Sequence, residues 1–229
     1  MSDRPILQRS VNTERALALP RPRLKGISHL LAAIAAVPAS IIGVAAAPPG
    51  RPRLGVLSFA VGITVMFTCS ALLHRRRWSA TTYERLFRLD HTGIYLAIGG
   101  TGAAVALLGL TGVPRTVLLV AFGLGVVVGI VVEWLPFAPP KGFNNAVFLS
   151  LGWVPMLLLP WLWIEAGVLV IGLLLLGGVL YTAGAIVVGT RRPDPSPRWF
   201  GYHEVFHLLV ILAVLAHVTM ISVLVHRQL

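Results

Sequence analysis

The chain has 229 residues, of which 56% are hydrophobic and 12% are charged, and its mean hydropathy is +0.84. A soluble domain carries roughly 25% charged residues, so the composition excludes a water-soluble globular protein and indicates a membrane protein. The net charge of +11 does not indicate a nucleic-acid partner, because the basic residues lie between apolar runs. There they report membrane topology and attraction to anionic lipid headgroups.

Residues 1–25 predict a basic, disordered cytoplasmic tail that contains several prolines. Residues 26–229 predict an all-α integral membrane domain, because the chain contains seven apolar runs of about 20 residues, each long enough to span a bilayer as a helix. Segments with Pro, Gly or charge separate the runs. The seven predicted spans are residues 27–47, 54–74, 90–110, 114–134, 143–163, 167–189 and 203–225.

Lys and Arg are distributed very unevenly between the two sides that these spans define. The N-terminal tail and the second, fourth and sixth loops hold most of them, whereas the other side holds only Arg51, Arg53, Arg115 and Arg227. Because cytoplasmic loops carry the excess of positive residues, the N-terminus is predicted to be cytoplasmic. Seven spans then place the C-terminus outside.

Several ionisable residues are predicted to lie at the cytoplasmic ends of different spans, where such residues indicate a functional site. His74 ends the second span, Asp90 begins the third, and His203 and His207 begin the seventh on one helix face. Three imidazoles and one open position describe a catalytic zinc site. Asp90 is expected to orient or deprotonate the zinc's water, and Ser70 to bond a ligand, a water or a substrate carbonyl.

Other polar residues are expected to contribute less. His91 is turned about 100° from Asp90 on a helix, so it is expected to pack at an interface. Glu133 is expected to be solvated. His29 could line the site, whereas His217 lies about 15 Å deeper than His207 and cannot reach the same metal.

The string His203-Glu204-Val205-Phe206-His207 also matches the H-E-x-x-H signature of zinc metalloproteases, in which the Glu is the general base. Helical spacing alone does not exclude this role for Glu204. However, the string lies in the last span with no acidic ligand after it, and His74 is already available as a third ligand. An intramembrane metalloprotease therefore remains the least favoured alternative.

The motifs "SALLH", "RLDHTGIYLAIGGT", "LGW", "GGVLYTAGAIV" and "FGYHEVFHLLV" resemble those of the hemolysin III family, the bacterial branch of the superfamily that contains the adiponectin receptors. The resemblance implies a seven-helix bundle with a zinc ion near the cytoplasmic face. It implies the ligands His74, His203 and His207, with Asp90 contacting the zinc's water and Ser70 as the signature serine.

The sequence departs from the family in two places. Residues Gly100–Ala104 lack the usual Tyr and Pro of the third helix, and "RPRLKGISH" replaces an acidic stretch before the first. A bulky pocket wall and a helix kink are therefore expected to be absent, and the substrate is expected to differ.

The resemblance also implies an activity and a location. Receptor members of the superfamily are similar to ceramidases, so we expect a zinc-dependent hydrolase of lipid amides in the bacterial plasma membrane, with membrane lipids as partners. The alternative is a non-enzymatic protein with structural zinc, either a membrane-perturbing, pore-forming haemolysin or a lipid-sensing receptor.

Overall fold

The structure is a computed structural model that describes residues 13–14, 17–18, 21–136, 139–140 and 142–229. Within these residues the regular structure is helical, and seven segments are long and apolar enough to cross a membrane. The all-α seven-span prediction is therefore confirmed. The helices are α1 Ile27–Ala46, α2 Arg51–Arg75, α3 Ala80–Gly109, α4 Gly112–Trp134, α5 Phe143–Gly152, α6 Leu159–Glu165, α7 Val168–Thr190 and α8 Tyr202–His226.

The helix of the third span begins earlier in the chain than the apolar run that predicts it, which starts at residue 90. α3 begins at Ala80, and the Ser79 side chain caps it by accepting a hydrogen bond from the Thr82 amide at 3.3 Å. A side-chain oxygen at this position satisfies one of the free amides of the first turn. Asp90 consequently lies well inside α3, so it is not a helix cap.

The fifth span is not a continuous α-helix. α5 ends at Gly152, a 3₁₀ segment runs over Val154–Leu158, and α6 follows from Leu159. Pro155 and Pro160 are the second residues of the 3₁₀ segment and of α6. Proline lacks the amide hydrogen that an uninterrupted α-helix needs, so the α-helical hydrogen bonding stops at each of them.

α2 and α3 pack backbone to backbone, which places the last turn of α2 beside the first half of α3. A β-carbon on Gly62 would lie 2.4 Å from the Leu96 carbonyl oxygen, and one on Gly100 would lie 2.3 Å from that of Ser58. Small residues permit such close approach between membrane helices. α8 packs mainly against α7 and also contacts α1, α2 and α3. Its first turn lies next to the last turn of α2.

The outer surface of the bundle is apolar. Exposed aliphatic side chains follow one face of α1 and one of α4, including Ile34, Ile42, Leu124 and Val127, each more than 60% exposed. A soluble monomer rarely presents contiguous apolar surface of this extent, whereas lipid tails solvate it without cost. The bundle is therefore a multi-pass membrane domain.

The predicted tail, residues 1–25, lies largely outside the described residues. Its last part is described, and it pairs with the segment before α8. The Arg23 and Leu24 amides donate to the Arg198 and Trp199 carbonyls at 3.0 Å each, and the Arg23 guanidinium lies 4.3 Å from the centre of the Trp199 ring. The chain entering α1 is thus attached next to the first turn of α8.

Candidate metal centre

Three histidines from two helices converge at the predicted cytoplasmic end of the bundle. His74 lies in the last turn of α2, and His203 and His207 lie one turn apart at the start of α8. The Nε2 atoms of His74 and His203 are 3.1 Å apart, and one ring nitrogen from each of the three residues lies within 4.8 Å of the others. The structure thus brings together the three residues that the sequence predicts as ligands.

The donor atoms of this cluster fit a zinc ion. His207 is completely buried, and neither of its ring nitrogens has a hydrogen-bond partner among the described residues. A buried polar group without a partner costs free energy, so these nitrogens need a ligand of some kind. Three imidazoles suit zinc, and three protein ligands leave one tetrahedral position open.

Asp90 lies beside the cluster. Its Oδ2 atom is 3.7 Å from His74 Nε2, and the carboxylate is 14% exposed. This distance is too long for a strong direct hydrogen bond but suits one bridged by a small group. Asp90 therefore reaches the same space as the ring nitrogens of His74 and His203.

Ser70 and His29 form a hydrogen-bonded pair that packs against His207. Ser70 Oγ is 2.8 Å from His29 Nδ1, and both residues are buried. The His29 ring stacks on the His207 ring with centroids 3.7 Å apart and an interplanar angle of 11°. His29, which the sequence placed only as a candidate for lining the site, thus links Ser70 to His207.

Glu204 is buried and caps the helix that carries two of the histidines. Its Oε2 atom accepts a hydrogen bond from the Gly201 amide at 2.9 Å. A carboxylate three residues after the start of a helix is a recognised stabilising arrangement. The H-E-x-x-H string therefore has a structural use for its Glu, in addition to any catalytic one.

The backbone around His74 is tightly held. Gly26 precedes α1 with a φ of +73°, and a β-carbon there would lie 2.7 Å from His74 Cβ. The Arg21 guanidinium donates to the His74 carbonyl. The last turn of α2 therefore packs closely against Gly26, and its His74 carbonyl has a hydrogen-bond partner.

A cavity of about 620 Å³ extends from the histidines into the bundle. His74, Asp90 and His203 contribute to one end of it. Its size and largely apolar wall are those of a site for a small organic or lipid molecule. Apolar lining residues include Met66, Val105, Phe122, Met156 and Leu174, and His217 lines it further along α8.

A second polar cluster lines the same cavity, and the sequence did not predict it. Glu133 is only 4% exposed, so the expectation that it is solvated is wrong. Its Oε2 atom lies 3.1 Å from His91 Nδ1 and 3.1 Å from Asn144 Nδ2, and the latter two are 2.8 Å apart. His91 is therefore hydrogen-bonded within the bundle rather than simply packed at an interface. The cluster joins α3, α4 and α5, whose mutual packing the separate motifs do not reveal.

Basic residues crowd the rim beside His74. Burial, followed by the charges of Arg75 and Arg77, lowers the pKa of the Arg21 guanidinium. Burial also lowers the pKa of the Lys25 ammonium, whereas the charge of Glu204 raises it. Such a rim attracts anionic headgroups to the surface where the cavity begins.

Comparison with known proteins gives the family. The family described as haemolysin-III related matches residues 17–218, which include the three histidines. The chain belongs to the haemolysin-III related family. This membership agrees with the motif resemblance and with the seven-helix architecture.

Two known proteins are similar to this chain in sequence. The haemolysin-III related chain is 30% identical over 189 residues to a protein named Hemolysin-3 from Bacillus cereus, covering 81% of this chain and 83% of that protein. It is 28% identical over 218 residues to the adiponectin receptor protein of Drosophila melanogaster, covering 83% of this chain. The match covers 47% of that receptor, so this chain spans about half of its length.

Proposed function

We propose that this protein is a zinc-dependent hydrolase of lipid amides that acts near the cytoplasmic face of the bacterial plasma membrane. The observation that carries the proposal is the convergence of His74, His203 and His207 with Asp90 beside them, at a place where His74, His203 and Asp90 line an apolar cavity. A donor set of three residues with a neighbouring carboxylate is the arrangement of a catalytic site.

The ligands would be His74, His203 and His207. Zinc bound there would supply a Lewis acid for the amide carbonyl and lower the pKa of an attacking water. The Asp90 carboxylate would accept a proton from that water, because it is 3.7 Å from His74 and open to the cavity. The same carboxyl group could then return the proton to the leaving amine.

Ser70 has a different role in this proposal from the one that its sequence position suggested. The Ser70 hydroxyl is hydrogen-bonded to His29, and the His29 ring stacks on the His207 ring. Groups that hold a ligand imidazole in place commonly tune the affinity for the metal. We therefore assign Ser70 to positioning His207, since Ser70 contacts His29 and does not line the cavity from which a substrate would approach.

The second candidate is a non-enzymatic membrane protein with structural zinc. It is favoured by the position of Asp90, which would close the coordination if it moved toward His74 by a small amount. Structural zinc sites have four protein ligands, whereas catalytic sites keep one position for water. The name of the Bacillus cereus relative also suggests a haemolytic role.

The test begins with metal analysis of the purified protein. Zinc near one equivalent per chain, lost in a His203→Ala/His207→Ala variant, would support the proposed ligands. Incubation of the zinc-loaded protein with lipid amides, with released fatty acid as the readout, then tests the activity. Hydrolysis that Asp90→Asn abolishes supports the enzyme. Bound zinc without hydrolysis of any lipid amide supports the structural alternative.

A further inference from the structure

The His91, Glu133 and Asn144 cluster lies in the wall of the cavity that has His74 and His203 at one end. Asp90 and His91 are consecutive residues of α3, and both line this cavity. Asp90 reaches His74, whereas His91 reaches Glu133 on α4. The largely apolar cavity therefore has one polar region at His74 and Asp90 and another at His91 and Glu133.

Hydrogen bonds within the cluster do not use the full accepting capacity of the Glu133 carboxylate. The His91, Glu133 and Asn144 atoms form a nearly equilateral triangle with sides of 2.8 to 3.1 Å. The two hydrogens of a planar amide diverge much further than two corners of such a triangle, so Asn144 cannot donate well to both partners. A carboxylate accepts about four hydrogen bonds, and the contacts of Glu133 with His91 and Asn144 use only its Oε2 atom.

The negative charge of Glu133 also indicates that its carboxylate needs a further hydrogen-bond donor. The Arg88 guanidinium donates to the Glu133 backbone carbonyl at 3.0 Å and to Glu84 at 3.4 Å, rather than to the Glu133 carboxylate. A carboxylate that is 3% exposed needs hydrogen-bond donors or a positive charge to offset its desolvation. A ligand in the cavity can supply either one.

We propose that His91, Glu133 and Asn144 form a recognition site for a hydrogen-bond-donating group, an ammonium or a hydroxyl, on the lipid that occupies the cavity. The proposal rests on the proposed function to the extent that the lipid's amide would lie at the histidines. Glu133 accepts from the donor group. Asn144 and His91 hold the carboxylate in place, with the rings of Phe87 and Phe148 against His91 at 4.2 and 5.5 Å.

The test compares three fatty amides with the same acyl chain, in which a short arm on the amide nitrogen ends in an ammonium, a hydroxyl or a methyl group. Binding to the purified full-length protein is measured by protection against thermal unfolding, and mass spectrometry verifies that the amide stays intact. We expect the ammonium or the hydroxyl compound to bind about tenfold or more tightly than the methyl compound, as for a hydrogen bond to a charged group. Tighter binding of the ammonium compound would indicate that charge dominates recognition, and tighter binding of the hydroxyl compound would indicate that hydrogen bonding does.

Glu133→Gln should reduce this preference to about twofold or less while leaving affinity for the methyl compound unchanged. Glu165→Gln is the matched control, because Glu165 ends α6 and does not line the cavity, and it should retain the full preference. If Glu133→Gln does not fold, Asn144→Ala at the start of α5 should weaken the preference severalfold. The proposed recognition site would be refuted if all three compounds bind equally well. It would also be refuted if Glu133→Gln and Asn144→Ala both keep the full preference. Preference without hydrolysis would leave this site standing and refute only the enzyme.

Discussion

The His29 ring lies flat against the His207 ring at 3.7 Å, and its Nδ1 atom is held by the Ser70 hydroxyl at 2.8 Å. His29 comes from α1, His207 from α8 and Ser70 from α2. The ring stack therefore joins α1 to α8, and the hydrogen bond joins α1 to α2. Together they support the imidazole plane of His207, one of the proposed ligands.

Ser70→Ala should weaken zinc binding without unfolding the bundle. Loss of the hydroxyl leaves His29 Nδ1 buried and unpaired, so the His29 ring, and with it His207, loses its fixed position. Removal of such supporting groups typically costs 10- to 100-fold in metal affinity. Competition with a chelator of known affinity measures the change.

The control is Ser40→Ala, which removes a hydrogen bond of 3.2 Å between the same two helices, from Ser40 on α1 to Thr64 on α2. Its zinc affinity should equal that of the unaltered protein. Equal losses in both variants would mean that helix packing, rather than support of His207, determines the affinity.

Asp90→Asn should slow the proposed hydrolysis, whereas Glu204→Gln should not. Asparagine cannot accept the proton, so Asp90→Asn should reduce the rate by about 100-fold or more while zinc remains bound. Glutamine at 204 can still accept the hydrogen bond from Gly201, so that variant should keep both its stability and its rate. The measurement is the rate of fatty-acid release at saturating zinc.

A rate that falls with Glu204→Gln and survives Asp90→Asn would instead support the metalloprotease alternative. Glu204→Ala provides a separate check of the cap. It should lower the free energy of unfolding by about 1 kcal/mol through loss of the contact with Gly201.

The number of spans and the set of three histidines, His74, His203 and His207, could be predicted because each rests on a strong sequence pattern. A run of about 20 apolar residues identifies a membrane helix, and the i, i+4 spacing places His203 and His207 on one face. The orientation rule then aligns His74 with them. None of these steps requires knowledge of which helices are neighbours.

Other features depend on tertiary packing and so could not be predicted. Residues 80–89 extend α3, but their charges exclude them from an apolar run. Glu133 is solvated or buried according to whether α3 and α5 cover the end of α4, and the sequence of α4 alone does not say. Likewise, Ser70 acts on His207 only because α1 places His29 between them.

The predicted orientation can be tested with the protein's own single cysteine removed. In a Cys69→Ala background, we expect Pro49→Cys, in the loop before α2, to react with a membrane-impermeant maleimide added to intact spheroplasts. Arg76→Cys, in the loop after α2, should react only after the membrane is opened. Both positions are exposed in the structure, so accessibility to the reagent depends on the membrane alone. The reverse labelling pattern would place the histidine cluster on the outer face.

Gly26→Ala should impair the metal site more than an equally strained glycine substitution elsewhere. Gly26 and Gly142 both have left-handed backbones, with φ values of +73° and +85°, so alanine strains both, at a cost of about 1–3 kcal/mol each. Only at Gly26 would the new β-carbon meet His74, at 2.7 Å from its Cβ, whereas at Gly142 no atom of the described residues lies within 4 Å. We therefore expect both variants to lose thermal stability, and only Gly26→Ala to lose zinc affinity, by about tenfold or more. Equal zinc affinities in the two variants would show that the contact with Gly26 does not set the direction of His74.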